Sequence, residues 1–280
     1  MISDDTLALP DGRTMAYTSI GSAGGAVLVY HHGAPGGRLE LATLDDAIAA
    51  EGLRVITPDR PGYGGSTPQP GRTTAGFVDD VVVLADHLGI DRFGVMGLSS
   101  GGPYTVACAS SLGDRIVGAI VAAGNTDMSW PDAADGYLQF ELDLMALADA
   151  DAAAAACIEQ YGADGSRFFE GDMDLGATDN EWLADETRAT GLSTSMGVAF
   201  AQGVVGYAHD IWVQGRPWTF DPGAVTAPTI VVHGADDQLV PIAHSEHTAS
   251  LIPGAELRVL DDVGHLSLSD ELPSLAAELM

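Results

Sequence analysis

The fold of this chain is decided by one stretch of sequence, Phe93-Gly94-Val95-Met96-Gly97-Leu98-Ser99-Ser100-Gly101-Gly102. Its first six residues are largely apolar, as in a buried strand, and the small residues that follow favour a helix. Between the two, residues 97–101 match the pattern G-x-S-x-G, in which a serine lies on a sharp strand-to-helix turn. Side chains at 97 or 101 would collide with the neighbouring strand and helix. The pattern predicts that Ser99 stands at the carboxyl end of a sheet; the alternative is a glycine-rich turn without chemistry.

Strand-like and helix-like segments alternate on both sides of this turn. The sequence starts with a hairpin signal, two β-rich runs around Pro10-Asp11-Gly12, and continues with strictly apolar runs typical of strands buried on both faces. This alternation predicts an α/β fold with a mostly parallel eight-stranded sheet and right-handed crossovers. The predicted strands are 6–9, 14–19, 26–30, 53–57, 93–98, 116–123, 229–233 and 257–260, and the predicted helices between and after them are 38–51, 77–88, 100–112 and 271–280.

The alternation stops after the sixth strand. From Asp127 to about Trp218 the sequence shows only helical patterns and Gly- or Asp-rich breaks, and strand patterns resume at Thr229. We therefore expect an all-helical insertion of residues 127–218 within a core domain formed by residues 1–126 and 219–280.

A serine at neutral pH needs a base, and the base needs an acid to orient it. In a strand-turn-helix architecture the chain order is serine, acid, histidine, which leaves His244, His247 and His265 as bases. His265 follows the last predicted strand, so it falls at the carboxyl end of the sheet, where ligands bind. His244 and His247 lie three residues apart on a predicted helix, a spacing that could hold a metal. No third ligand is evident, so we interpret them as a solvated helix face and assign the base to His265.

The acid should follow the strand at 229–233. Asp236 and Asp237 are adjacent there, and the residues alone do not separate them. Asp127, after the sixth strand, is a third possibility, although it could equally cap a helix that enters the insertion.

An oxyanion needs two backbone N–H donors, one after the serine and one from the loop after the third strand. That loop reads His31-His32-Gly33-Ala34-Pro35-Gly36-Gly37. We expect the amides of Ala34 and Ser100 to be the donors; the alternative is an inert Gly/Pro loop. His31 and His32 precede the serine, so we interpret them as stiffening the loop and lining a pocket.

Aromatic residues are frequent in the insertion and could line an apolar acyl pocket. More often such residues form the core of their own segment, as could be true of Trp182, Phe200 and Tyr207. The candidate pocket residues are His32, Gly33, Trp130, Tyr137, Phe140 and Trp212.

The composition excludes several classes of partner. The chain has 280 residues, with 40 acidic residues against 11 basic ones, for a net charge of −29, and every basic residue is arginine. A nucleic-acid binder needs a basic patch, and an anionic membrane surface would repel this chain, so neither is expected as a partner. Hydrophobic residues make up 46% of the chain, which is ample for a packed core and argues against disorder.

Three local features concern location and redox state. The first five residues lack the basic-then-apolar pattern of a signal peptide, and no apolar run reaches the roughly 18 residues of a membrane span. Cys108 and Cys157 lie in apolar helical surroundings and are interpreted as reduced core residues. We therefore expect a cytoplasmic protein.

The acidic residues are concentrated in the predicted insertion. Between Asp127 and Asp221 there are 18 acidic residues and three arginines, about twice the charge density of the rest of the chain. We expect this field to disfavour anionic substrates and to admit neutral or cationic small molecules. The alternative is an acidic, solvated surface with no effect on the site.

Several segments, in this order along the chain, resemble those of the α/β-hydrolase superfamily, and the resemblance covers nearly the whole chain outside the insertion. In the family's G-x-x-D-x-x-x-P segment the acid lies three residues after the glycine, which is Asp237 when counted from Gly234. The insertion corresponds to the cap that such enzymes place over the active site. The matching segments are residues 9–13, 32–36, 59–66, 97–101, 234–241 and 264–265.

The resemblance implies a serine hydrolase with Ser99, His265 and Asp237 as its triad, acting on a small carboxylic ester or lactone through an acyl-enzyme. It implies no metal or organic cofactor, and a monomer or homodimer. Dehalogenases and epoxide hydrolases of this fold carry Asp at the position of Ser99, which argues against both. An aminopeptidase or a carbon–carbon bond hydrolase with the same triad, or a ligand receptor on the same fold, are the alternatives.

Overall fold

A computed structural model describes residues 2–168, 170 and 175–280 of the chain. The described residues form one sheet with the strand order β1-β2-β4-β3-β5-β6-β7-β8. Strand β2 is antiparallel to both of its neighbours, and all other neighbouring pairs are parallel. The strands are β1 (Ser3–Ala8), β2 (Thr14–Gly21), β3 (Ala26–His31), β4 (Leu53–Pro58), β5 (Phe93–Leu98), β6 (Ile116–Ala122), β7 (Thr229–Gly234) and β8 (Glu256–Leu260).

Five helices cover the two faces of the sheet, which explains why the central strands are apolar throughout. On one face, Val29 and Val95 pack with apolar side chains of α2, α3 and the end of α9. On the other face, Leu28 and Met96 pack with side chains of α1 and α10. This confirms the expected fold class, a mostly parallel eight-stranded α/β sheet. The helices are α1 (Asp45–Ala50), α2 (Phe77–His87), α3 (Gly102–Ser111), α9 (Ile242–Leu251) and α10 (Leu272–Leu279).

Between β6 and β7 the described residues contain helices and turns but no strand. Four of these helices contribute to one apolar cluster, with Leu144, Cys157, Met196 and Ile211 among its members. The cluster also includes Val240 from the loop after β7. The segment therefore packs onto the carboxyl end of the sheet. Its members, the cap helices, are α4 (Gln139–Met145), α5 (Ala150–Tyr161), α6 (Gly176–Trp182), α7 (Glu186–Ala199) and α8 (Val205–Gln214).

The helix expected at 38–51 is wrong in its first half. The structure has a 3₁₀ turn at Ala42–Leu44 followed by α1, and the residues before the turn are held by tertiary contacts. The backbone N–H of Arg38 donates to Asp59 at 2.7 Å, and the Glu40 carboxylate accepts from Gly33 N at 2.9 Å. These bonds replace the helical ones and tie the segment to the loops after β3 and β4.

None of the helices among residues 2–168, 170 and 175–280 is long and apolar enough to cross a membrane.

Candidate active site

The serine turn between β5 and α3 is built as the pattern requires. Ser99 has φ of 56°, in the left-handed region that side chains seldom adopt. A Cβ at Gly97 would lie 2.5 Å from Gly101 O, and one at Gly101 would lie 1.9 Å from His31 O. Both glycines are therefore needed for β3, β5 and α3 to approach closely enough to raise Ser99.

His265 and Asp237 form a close pair at the carboxyl ends of β8 and β7. His265 Nδ1 lies 2.7 Å from Asp237 Oδ2, and both side chains are buried. The other carboxylate oxygen, Oδ1, accepts from the backbone N–H groups of Leu239 and Val240 at 2.8 and 2.9 Å. The loop therefore fixes the carboxylate and leaves one oxygen for the imidazole.

The other two candidate acids are occupied elsewhere. Asp236 Oδ2 accepts from the Thr178 hydroxyl at 2.6 Å, on cap helix α6. Asp127 accepts from the backbone N–H groups of Ser129 and Trp218, so it closes the base of the segment between β6 and β7. Of the three carboxylates, the structure brings Asp237 to His265.

The charges of the pair stabilise each other. Burial opposes protonation of His265, but Asp237 outweighs it, with further help from Asp179 and Glu40, so the pKa of His265 is raised. Burial also opposes ionisation of Asp237, yet its bonds to His265 and to the loop amides lower its pKa. The arrangement favours an imidazolium beside a carboxylate, the state that a base reaches after taking a serine proton.

His244 and His247 hold the segment after β6 in place. His244 Nδ1 accepts from Thr126 N at 3.2 Å, and its Nε2 lies 2.9 Å from Ala133 O. His247 Nδ1 lies 2.7 Å from Thr126 Oγ1, and its ring stacks on Trp130 with centroids 4.2 Å apart. The expectation of a solvated helix face is therefore wrong for His244, which is buried because both of its ring nitrogens bond the segment after β6. Since both histidines serve that segment, the base stays assigned to His265.

A cavity of about 490 Å³ lies between the loops at the carboxyl end of the sheet and the cap helices. Ser99 and His265 both line it, as do Gly33, Ala34 and Pro35 from the loop after β3. The rest of the wall is mostly apolar and comes from the cap helices and neighbouring loops, including Phe140, Tyr161, Phe168, Leu192, Met196 and Tyr207.

Three of the six expected pocket residues, Gly33, Tyr137 and Phe140, line this cavity. Trp130 stacks on His247 outside it, and Trp212 lies on the outer side of α8, where its indole donates to Leu147 O at 2.9 Å. His32 is fully buried, with Nδ1 2.7 Å from Gly33 O and Nε2 accepting from Arg60 N at 3.1 Å. The expectation that these three line the pocket is corrected: two pack away from the cavity, and His32 stiffens the loop from behind.

The loop after β3 is supported by a buried ion pair that the sequence reasoning missed. The Arg60 guanidinium donates to the backbone oxygens of His32 and Gly33 and also to Asp210 Oδ2, the latter through Nη2 at 2.7 Å. Asp210, on cap helix α8, also accepts from the hydroxyl of Tyr104 at 2.5 Å. The only signal in the sequence was an aspartate within a mostly apolar helix. The pair links the cap helices to the loop that carries Ala34.

Replacing Asp210 by alanine is expected to lower the free energy of unfolding by about 3–5 kcal/mol, because it leaves the buried Arg60 charge unpaired. Urea unfolding of the variant checks this value. The exposed Asp143 serves as the matched control, and Asp143→Ala is expected to change stability by no more than about 0.5 kcal/mol. A loss below about 1 kcal/mol for Asp210→Ala would mean that the buried pair contributes less to stability than its burial predicts.

Two further carboxyl groups line the cavity. Glu40 accepts from Tyr30 OH at 2.8 Å as well as from Gly33 N. Glu141, on α4, accepts from the hydroxyls of Tyr137 at 2.5 Å and Tyr207 at 2.8 Å. Burial raises the pKa of both groups. Among the described residues that line the cavity there is no arginine or lysine, and the basic side chain in this wall is His265, which is already paired with Asp237.

Comparison with known proteins agrees with this architecture. The family model for the alpha/beta hydrolase fold matches residues 26–272. A non-heme chloroperoxidase from Streptomyces lividans is 29% identical over 283 residues, which cover 98% of this chain and 98% of that protein.

Solved structures with the same fold include a thermophilic esterase from Thermogutta terrifontis. Its TM-score is 0.73, with 22% identity over 99% of this chain and 96% of that one. The enol-lactonase from Burkholderia xenovorans LB400 has a TM-score of 0.70 and 20% identity over 98% and 99% of the two chains. The chain therefore belongs to the alpha/beta hydrolase fold family.

Proposed function

We propose that this protein is a serine hydrolase that cleaves a small carboxylic ester or lactone through an acyl-enzyme on Ser99. One observation carries the proposal: the Asp237–His265 pair and Ser99 meet at a single cavity covered by the cap helices. A nucleophile, a base and an oriented acid at one cavity are the parts that acyl transfer needs.

The proposed steps follow from these positions. Ser99 Oγ attacks the substrate carbonyl while His265 takes its proton, and Asp237 stabilises the imidazolium. The backbone amides of Ala34 and Ser100 donate to the oxyanion, one from the loop after β3 and one from the turn that opens α3. The imidazolium then gives its proton to the leaving alcohol. Finally, His265 takes a proton from water, which attacks the acyl-enzyme. The imidazolium returns that proton to Ser99 Oγ as the bond between the acyl carbon and Oγ breaks and the acid is released.

The cavity also supports a substrate class, neutral or cationic small molecules. An anionic substrate would leave water for a mostly apolar cavity whose described wall carries Glu40 and Glu141 but no arginine or lysine, and whose His265 is already paired with Asp237. The names of the relatives, a peroxidase, an esterase and a lactonase, do not choose between charged and neutral substrates; the composition of the wall is what supports this part of the proposal. The esterase and lactonase names are in line with ester or lactone cleavage.

A matched pair of esters tests both the reaction and the substrate class. We expect turnover of p-nitrophenyl butyrate, with kcat/KM at least about 10-fold above that of the anionic hemisuccinate of similar size. The preference should persist in high salt, because buried carboxyl groups are screened less than surface charges. Equal kcat/KM for the two esters would refute the substrate class.

Turnover of amino-acid anilides but not esters would favour an aminopeptidase. Hydrolysis limited to a single turnover, together with a ligand-induced shift in melting temperature, would favour a receptor.

A further inference from the structure

One residue of the cap helices binds the loop that carries His265. Asp179, on α6, is fully buried. Its Oδ2 accepts from the backbone N–H groups of His265 at 2.8 Å and Leu266 at 2.9 Å. Its Oδ1 accepts from the backbone N–H and the hydroxyl of Ser267, at 3.0 and 2.9 Å. Within the described part of the chain, the four donors to this carboxylate all come from three consecutive residues of the histidine loop.

The geometry is that of a helix cap supplied by another part of the chain. The three amides open the 3₁₀ turn Ser267–Glu271, and a carboxylate at the start of such a turn satisfies N–H groups that have no partner within it. Because the acceptor is ionic, these bonds are stronger than neutral ones. A Cβ at Gly264 would lie 2.4 Å from Asp179 Oδ1, so the glycine before His265 is what lets the carboxylate reach the loop.

The rest of α6 is fastened to the same region. Thr178 donates to Asp236 at 2.6 Å, next to the acid of the pair, and Trp182 Nε1 donates to Asp270 at 2.9 Å, in the turn after His265. Helix α6 therefore bridges the acid loop and the histidine loop. Among the described residues of α6, Asp179 is the one whose side chain binds the backbone N–H of His265.

We propose that Asp179 is a positioning residue for His265, and that it makes the alignment of the base depend on helix α6 being seated on the core. The inference rests on the proposed function, since it concerns the base of that reaction. Asp179 touches no reacting atom; it acts through the histidine loop. Loss of its bonds frees the loop to shift, and a displacement of about 1 Å of a catalytic group costs about 10²-fold in rate.

Charged and titratable groups face His265 from several elements. Asp237 does so from the loop after β7, and Asp179 does so from α6. The others are Glu40 from the loop after β3, Glu141 from α4 and His233 from β7. Removing the Asp179 charge leaves the other groups in place, so His265 should lose its proton at a lower pH than in the wild type.

The test compares Asp179→Asn with Thr178→Val, its neighbour on the same helix. Asp179→Asn keeps the shape but presents one acceptor and a repelling NH₂ group. We expect kcat to fall by about 10²-fold with KM within about threefold, because the loop holds the base and not the substrate. The acid limb of kcat/KM should move to lower pH. Thr178→Val removes a bond of α6 to Asp236. This variant should keep kcat within about threefold of wild type and should leave the acid limb of the pH profile at the same pH.

Two further measurements keep the outcomes separate. Titration of the His265 imidazole by NMR needs no substrate, and its midpoint should be lower in Asp179→Asn than in the wild type. If Asp179→Asn folds poorly, Asp179→Glu serves as a second variant, because it keeps the charge on a longer side chain. It should lower kcat while the pKa of His265 stays raised. An unchanged imidazole titration together with an unchanged kcat in Asp179→Asn would overturn the inference. Full ester turnover by Ser99→Ala would instead refute the proposed function.

Discussion

Replacing Ser99 by alanine is expected to lower kcat/KM on p-nitrophenyl butyrate by about 10⁴- to 10⁶-fold. Alanine has no oxygen to attack the carbonyl, so no acyl-enzyme forms, and the oxyanion donors and the cavity leave only a residual rate. The left-handed backbone at position 99 remains, so the variant should fold with an unchanged cavity. Initial rates with enzyme at micromolar concentration measure a loss of this size.

The matched control for this variant is Ser110→Ala, in the same helix α3. The Ser110 hydroxyl donates to Ala107 O, at 3.0 Å, one turn earlier in its own helix. We expect this variant to keep kcat/KM within about threefold of wild type. If Ser99→Ala kept wild-type activity while its melting temperature was unchanged, another nucleophile or a bound water would perform the reaction.

The second large effect concerns the choice between two adjacent acids. Asp237→Asn is expected to lower kcat by about 10³- to 10⁴-fold, because an amide cannot stabilise the imidazolium and favours the wrong tautomer of His265. Asp236→Asn is expected to change kcat by less than about threefold, since its carboxylate bonds to Thr178 and not to the imidazole. Both variants are measured on the same ester at the pH optimum of the wild type.

The contrast between these neighbours is the informative result. Equal losses in Asp236→Asn and Asp237→Asn would indicate that the loop after β7 acts as a unit and that the 2.7 Å contact of Asp237 with His265 has no special role. A large loss in Asp236→Asn alone would assign the acid to the other residue.

Much of the fold follows from the sequence because of how the sheet is buried. Strands covered by helices on both faces must be apolar throughout, so runs such as Phe93–Leu98 and Thr229–Gly234 stand out from the amphipathic helices around them. Strand β1 begins three residues earlier than the sequence predicts and ends one residue earlier. Ser3, Asp4 and Asp5 are exposed, and pairing with β2 along the edge of the sheet keeps them in the strand without any apolar signal.

The segment at 38–51 shows where local patterns fail. Its spacing of apolar residues suits a helix, but Arg38 and Glu40 are needed to hold the loops after β4 and β3. Contacts with residues close in space but not in sequence therefore decided the conformation. No periodicity in the segment itself encodes them.

The candidate site divides in the same way. Ser99 and His265 stand in short segments whose residue types are fixed by local geometry, so the sequence points to them directly. Asp179, Asp210 and Glu141 act through contacts with partners up to 150 residues away along the chain. No pattern within their own helices indicates these contacts. The prediction of pocket aromatics is partly wrong for a related reason. On α8, Tyr207 lines the cavity, whereas Trp212 does not and donates to Leu147 O instead. The composition of the segment does not reveal which side of a helix faces the cavity.

The central claim is that Ser99 carries an acyl group during turnover, and rapid acid quenching followed by mass spectrometry tests it most directly. Wild-type enzyme mixed with excess p-nitrophenyl butyrate and quenched within the first turnover should gain one butyryl group, located on the peptide that contains Ser99. Ser99→Ala should gain none. Steady turnover by the wild type with no covalent adduct, or with the butyryl group on another residue, would contradict the account.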